Sequence, residues 1–224
     1  MTLDVIELET APSPQASIIV LHGLGADGND FVPIAQELDL ASVGAVRFVF
    51  PHGPKRPVSI NGGHWMRAWY DIYGDELGPP GRRPEDQSGL QSSQVLVERL
   101  IAKEIERGTP ASRIVLAGFS QGCAMTFMTG LRYPQRLAGL LGMSGYLPLA
   151  AQTATQASAA NAGVPIFQAH GSFDPVIALD RAVASRDALL ALGYPVEWHA
   201  YPMAHTVCEA EIADMNRWLL RILR

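Results

Sequence analysis

The stretch RIVLAGFSQGCAMTFMTGLR, Arg113 to Arg132, decides the fold. Its opening, Arg113-Ile114-Val115-Leu116-Ala117, is a short apolar run rich in β-branched residues and reads as a buried strand. From Gln121 to Arg132 there is no Pro, and apolar residues recur at helical spacing. Between the two lies Gly118-Phe119-Ser120-Gln121-Gly122, a G-x-S-x-G. Strand, tight turn, then helix is the setting in which this pattern forms a nucleophile elbow. Larger side chains beside the Ser would collide with neighbouring strands, which accounts for Gly on both flanks. The Ser would stand where free N–H groups and the helix dipole favour negative charge. A Ser at that point also suits a plain helix cap. A catalytic reading therefore requires a base, an acid and an oxyanion hole from elsewhere in the chain.

Outward from the elbow, strands and helices alternate. Leu3 to Glu9 alternates apolar and polar, as an antiparallel, half-exposed edge strand does. Ser17 to Leu21 is a continuous apolar strand that runs into His22-Gly23-Leu24-Gly25-Ala26-Asp27-Gly28, a loop with three glycines. A helix is predicted from Asn29 or Asp30 to Leu40, and a strand over Ala45 to Phe50. From His52 to Gly89 the pattern dissolves into Pro, Gly and charged residues around Trp65, Trp69, Tyr70 and Tyr73. A long irregular stretch in a compact domain is usually functional or disordered, and the aromatics argue against disorder. Leu90 to Arg107 reads as an amphipathic helix stopped at Gly108. After the elbow helix come a strand at Ala138 to Met143, a low-complexity surface segment at Ala150 to Gly163 and a strand at Val164 to Ala169. A helix at Ile177 to Leu192, a strand at Val196 to Tyr201 and a helix at Glu209 to Leu223 close the chain. This alternation predicts an α/β fold: a mostly parallel sheet with helices on both faces. With no internal repeat and no shift in composition, residues 1–224 read as one domain with an irregular insertion at about 52–89.

Composition excludes several classes. Apolar residues make up 48 % and charged residues 17 %, which suits a large core. The net charge of −5 is spread without long runs, so no nucleic acid or anionic membrane partner is expected. No apolar stretch approaches the roughly 18 residues of a membrane span. The N-terminus MTLDVIELET is acidic and alternating, unlike a secretory signal. Cys123 and Cys208 make neither a disulfide framework nor a zinc cluster. They read as small buried hydrophobes in a cytoplasmic setting.

In open α/β sheets, ligands sit beyond the carboxyl ends of the strands. The topology brings His22 to Gly28, Ser120, Asp174 and His205 to that edge. The chain order Ser120, Asp174, His205 is that of α/β-hydrolases. Ser120 would be the nucleophile and needs a base within hydrogen-bond reach. His205, in the loop between the last strand and the last helix, is the candidate base. Asp174 would hold its tautomer and stabilise the imidazolium. His199 lies inside a strand and reads as a packed or surface residue. His170 precedes the Asp loop and is placed to help shape the site, though outside the chain order. His52 and His64 fall in the irregular region and are lesser candidates for touching substrate. Asp180 is expected already within a helix. The oxyanion hole needs two N–H groups, expected from Gln121, after the nucleophile, and from Leu24 in HGLG. A phosphate-binding reading of HGLGADG lacks the Lys and Ser/Thr that a P-loop requires.

Five blocks resemble those of the small carboxylesterases related to acyl-protein thioesterases. They are LHGLGADGNDF at Leu21 to Phe31, MRAWYDI at Met66 to Ile72, GFSQGCAM at Gly118 to Met125, HGSFDPVI at His170 to Ile177 and YPMAHTVC at Tyr201 to Cys208. The resemblance covers nearly the whole chain and implies an α/β-hydrolase without a separate cap domain. It also implies the Ser120, Asp174, His205 triad and the Leu24 and Gln121 amides. Members often have Gly where this chain has Ala204 and Cys123, departures that bear on substrate shape rather than chemistry.

The expected reaction is double displacement on a neutral ester with a short to medium acyl chain, with no cofactor and no metal. Trp65, Met66 and Trp69 are expected to wall an acyl groove, although they could equally pin the long loop to the core. The alternatives are a thioesterase acting on acylated protein, a lysophospholipase or an acyltransferase on the same scaffold. A more distant alternative is a binding protein without activity. The expected partner is a small acyl ester or thioester, with no stable membrane insertion; composition leaves the oligomeric state open.

Overall fold

The computed structural model of the chain describes residues 2–74 and 84–224. Seven strands form the main sheet: β1 (Val5–Glu9), β2 (Ala16–Leu21), β3 (Val46–Pro51), β6 (Ile114–Phe119), β7 (Gly139–Met143), β8 (Ile166–Gly171) and β9 (Val196–Tyr201). Their order is β1-β3-β2-β6-β7-β8-β9. β1 is the antiparallel edge, with Val5 opposite Pro51 and Glu9 opposite Arg47. Every other pairing in this sheet is parallel. β4 (Lys55–Val58) and β5 (His64–Arg67) form a separate antiparallel ribbon.

The helices are α1 (Val32–Glu37), α2 (Gln87–Glu106), α3 (Gln121–Gly130), α4 (Ala150–Gln156), α5 (Leu179–Ala191) and α6 (Glu209–Ile222). The period-two pattern of the strands divides the core. Ile19, Leu21, Ile114, Leu116 and Leu140 pack with α2, α3 and α5. Ile18, Val20, Val115, Ala117 and Leu141 pack with α1 and α6 on the other face. All ten residues of α3 are buried, because it is layered between the sheet and α2. Burying a Leu or Ile side chain fully is worth about 1.5–3 kcal/mol, so strands buried on both faces hold the centre of the molecule.

Several expectations are corrected. The first helix is split: a single turn at Gly28–Phe31 precedes α1, and Leu38 turns extended (φ −81°, ψ 123°) to end it at Glu37, short of Leu40. The segment Ala150 to Gly163 is not merely surface. It forms α4 and a turn at Ala159–Asn161, with Thr153 and Asn161 fully buried. Asn161 donates to the Tyr133 and Gln135 carbonyls and accepts from the Leu137 amide, tying this segment to the turn before β7. The long helix starts earlier than Leu90, because Asp86 caps it by accepting from the Gly89 amide. The irregular insertion holds the β4–β5 ribbon, which Pro57 and a short, polar pattern hid. Its part at 75–83 lies outside the described residues.

Candidate active site

The elbow forms where β6 gives way to α3. Ser120 has φ 55° and ψ −116°, a sparsely populated conformation for a residue with a side chain. Its amide donates to the Met143 carbonyl at 2.9 Å, which anchors the turn to β7. The two flanking glycines are required for different reasons. A side-chain carbon at Gly122 would collide with the Leu21 carbonyl oxygen of β2, as expected. One at Gly118 would instead meet the Gly122 carbonyl, in the first turn of α3.

The structure brings Asp174 and His205 together. His205 Nδ1 donates to Asp174 Oδ2 at 2.7 Å. Asp174 Oδ1 accepts from the Val176 and Ile177 amides at 2.8 and 2.9 Å. Burial raises the Asp174 pKa, but the His205 bond and the two amides outweigh it and leave the carboxyl below its ordinary value. A carboxylate that stays charged beside an imidazole fixes the tautomer with Nε2 free to act as a base. The His205 ring packs against Phe119, with centroids 4.7 Å apart, and so stands beside the residue preceding Ser120. Among the described residues no hydrogen bond joins the Ser120 hydroxyl to His205; in unliganded enzymes such contacts are often long.

Leu24, Ser120 and Gln121 border one cavity of about 250 Å³. A side-chain carbon at Gly23 would sit 3.4 Å from Ser120 Cβ, so the HGLG loop lies directly against the elbow. Gln121 opens α3, and its amide belongs to the first turn, whose N–H groups have no partner within the helix. The other walls include Ile60, Ile72, Tyr146, Val176 and Ile177. Tyr70 and Tyr146 also border it and share a hydroxyl–hydroxyl bond of 2.9 Å.

None of the three residues expected to hold the acyl chain is among these walls. Trp69 is fully buried; its indole N–H donates to the His22 carbonyl and its backbone N–H to Gln121 Oε1, both at 2.9 Å. It thus braces both loops that carry the expected oxyanion amides. Trp65 projects from β5 and is 73 % exposed. Met66 lies on the same strand, its sulfur 3.3 Å from Asn61 Nδ2. The aromatic cluster is divided because Trp65 lies on the exposed β5 while Trp69, beyond the end of that strand, is drawn under the HGLG loop and α3, which composition does not reveal.

His22, to which the sequence assigned no separate role, is a supporting residue. Its Nδ1 donates to the Gly23 carbonyl at 2.7 Å and its Nε2 accepts from the Gly53 amide at 2.8 Å. Burial pushes its pKa down, and the Gly23 carbonyl opposes this only in part, so it stays neutral and clamps the HGLG loop to the insertion. The available signal was its place at a strand end before the Gly-rich loop. His199 is a packed residue between Glu197 and Asp214, stacked on Phe167. His52 accepts from the Gly28 amide, His64 bonds the Asn61 carbonyl, and neither borders the cavity. Asp180 falls in the first turn of α5. Among the described residues no group of three or more His, Cys, Asp and Glu is gathered closely enough to hold a metal ion. No helix among them is long and apolar enough to cross a membrane.

The sequence profile of the phospholipase/carboxylesterase family matches residues 4–223. The chain belongs to this family. It is 40 % identical over 208 residues to acyl-protein thioesterase 1 of Yarrowia lipolytica, covering 91 % of this chain and 90 % of that one. It is 39 % identical over 209 residues to acyl-protein thioesterase 1 of Neurospora crassa, covering 91 % and 85 %. Among solved structures, Zea mays acyl-protein thioesterase 2 superimposes with a TM-score of 0.85 at 26 % identity, covering 99 % of both chains. Arabidopsis thaliana SOBER1 gives 0.85 at 28 % identity, covering 93 % of this chain and 99 % of that one. The protein is an α/β-hydrolase of the carboxylesterase type, a serine ester hydrolase.

Proposed function

We propose that this chain hydrolyses acyl thioesters, with S-acylated protein as the favoured substrate class, and that residues 1–224 work as one domain. The observation that carries the chemistry is the Asp174–His205 bond beside a serine held at φ 55° in the wall of a cavity that Ile60, Ile72, Val176 and Ile177 line in part. Identity of about two residues in five to acyl-protein thioesterases favours the thioester over a general short-chain ester. Oxygen esters share the carbonyl chemistry and are expected as lesser substrates.

Ser120 Oγ attacks the acyl carbon as His205 Nε2 takes its proton. The oxyanion rests on the Leu24 and Gln121 amides. The C–S bond breaks, and His205 returns the proton to the leaving thiol. Water, deprotonated by His205, attacks the acyl-enzyme, and Ser120 recovers its proton as the acid leaves. The acyl chain lies along Ile60, Ile72, Val176 and Ile177. Trp69 supports Gln121 from behind. A cytoplasmic setting fits two cysteines that stay reduced.

The test is a matched series of thioesters and aryl esters of graded acyl length, together with an S-acylated peptide. The expected result is a higher kcat/KM for the thioester at each length, abolished in Ser120→Ala. Near-wild-type rates in Ser120→Ala would overturn the mechanism; preference for the oxygen esters throughout would overturn the substrate class.

A further inference from the structure

We propose that His170, held by Ser144, is a positioning residue for Asp174. Its Nε2–H group donates to the Ile177 carbonyl and lies beside the carboxylate oxygen that binds His205, and the buried Ser144 hydroxyl fixes the ring through Nδ1. This rests on the triad reading above.

His170 ends β8, four residues before Asp174, and is fully buried. Its Nε2 lies 2.9 Å from the Ile177 carbonyl oxygen and 3.4 Å from Asp174 Oδ2. Both neighbours only accept, so Nε2 carries a proton. Asp174 Oδ1 is already occupied by the Val176 and Ile177 amides. His170 therefore gives its N–H to the Ile177 carbonyl, in the loop whose amides hold Asp174, with the same N–H edge 3.4 Å from Oδ2, the atom that receives His205. The two imidazoles approach one carboxylate oxygen from different strands, one from β8 and one from the loop after β9.

The other nitrogen of His170 is informative. With Nε2 protonated, Nδ1 of a neutral ring is an acceptor. It is buried and has no hydrogen-bond partner, and the hydroxyl of Ser144, fully buried as well, has none either. The Ser144 amide donates to the Ala169 carbonyl, which continues the Met143 to Ala169 register and sets Ser144 opposite His170 in the parallel ladder. Neighbouring strands run about 4.8 Å apart, within reach of one hydroxyl rotation or one bridging water. Gln168 Oε1, two residues before His170, is a third buried atom without a partner and gives such a water another contact. A donor and an acceptor buried without partners on neighbouring strands are each costly, and joining them removes both costs. Ser144 is held at φ 47°, a strained position that persists only where its surroundings demand it.

The consequence is electrostatic. The positive N–H edge of His170, 3.4 Å from Oδ2, favours the carboxylate charge and limits how tightly Asp174 holds the His205 proton. Without it, Asp174 would hold the imidazolium form more tightly, and the acid limb of kcat/KM would move up. Among the described residues the ionisable groups facing Asp174 are His205 and His170, and the other face of His205 meets the uncharged Phe119 ring.

The experiment is the pH profile of kcat/KM for wild type, His170→Leu, His170→Gln and Ser144→Ala, with fluorophosphonate titration of Ser120 in each. His170→Leu is expected to raise the acid limb by about half a pH unit or more. His170→Gln, which keeps an N–H near the Nε2 position, is expected to restore it, and Ser144→Ala to fall between. Nitrogen-15 NMR of wild type is expected to show the Nε2–H tautomer at His170. An unmoved acid limb in folded His170→Leu overturns the proposal, as does an Nδ1–H tautomer. If His170→Leu does not fold, Ser144→Ala and the tautomer decide in the same two directions. Failure of the triad itself shows separately, as Ser120→Ala retaining its rate, and that result overturns both readings.

Discussion

Nδ1 of His205 donates to Oδ2 of Asp174 at 2.7 Å, across 31 residues of sequence and between the loops that follow β8 and β9. Replacing Asp174 by Asn keeps the shape and removes the charge that sets the tautomer. The expected outcome is a fall in kcat of about 10⁴-fold, measured by steady-state hydrolysis, with the Ser120 position intact. The same carboxyl predicts a stability effect. Its folded-state pKa lies below the ordinary 3.8, so it adds stability above the unfolded value, and this is lost as pH falls through the folded one. Below about pH 4, D174N should therefore lose less stability on acidification than wild type in urea unfolding at stepped pH.

The elbow leaves no room for a side chain at Gly122. Gly122→Ala would press against the Leu21 carbonyl, which is fixed in a central strand. The expected cost is about 3 kcal/mol or more in denaturant unfolding, or an insoluble product. Gly163→Ala is the control. It has open space around it and only a positive φ of 67°, so a cost of about 1 kcal/mol is expected. Equal costs at the two positions would contradict the steric account.

Trp69 and Ile72 are close in sequence but differ in role. Trp69→Phe removes the indole N–H from the His22 carbonyl and loosens the HGLG loop that carries the Leu24 amide, without touching the cavity. It should lower kcat/KM by about tenfold at every acyl length. Ile72→Ala removes a cavity wall and should shift the preferred acyl length instead. The graded ester series distinguishes them: a changed profile in Trp69→Phe would return that residue to the acyl groove.

Glu211 lies in the first turn of α6, fully buried, with the Cys208 amide near its carboxyl but no well-formed hydrogen bond to either oxygen. Burial pushes its pKa up to about 8, against the opposing pull of the Cys208 amide. The folded state therefore binds a proton that the unfolded state releases near 4.5, and stability declines as pH rises from there through about 8. Glu211→Gln should match wild type near pH 4.5 and exceed it at pH 9, by an amount on the order of a few kcal/mol. Thermal unfolding at the two pH values measures this; a parallel decline in the variant would refute it.

Much of this architecture is legible in the chain. Continuous apolar runs such as Ser17 to Leu21 and Ile114 to Ala117 can only be strands covered on both faces, and the alternating Leu3 to Glu9 only an edge. The elbow and the Ser, Asp, His order depend on local turn chemistry and chain order, which are linear properties. The β4–β5 ribbon was hidden because its two strands are four residues each, too short to set a period, and Pro57 argues against a strand. Asn161 was hidden because its value lies in three backbone partners that only the fold supplies.

The sequence by itself therefore determined the parallel sheet, the place of Ser120 at a strand-to-helix turn and the family of the chain, because each rests on residue type at fixed spacing. Only the tertiary structure decided which aromatics brace the site and which residues wall the cavity, because burial of Trp69 and exposure of Trp65 depend on how the insertion folds back on β2 and α3. It alone decided that Asp174 meets two imidazoles rather than one, since His170 reaches it through the geometry of a strand end, which no spacing specifies.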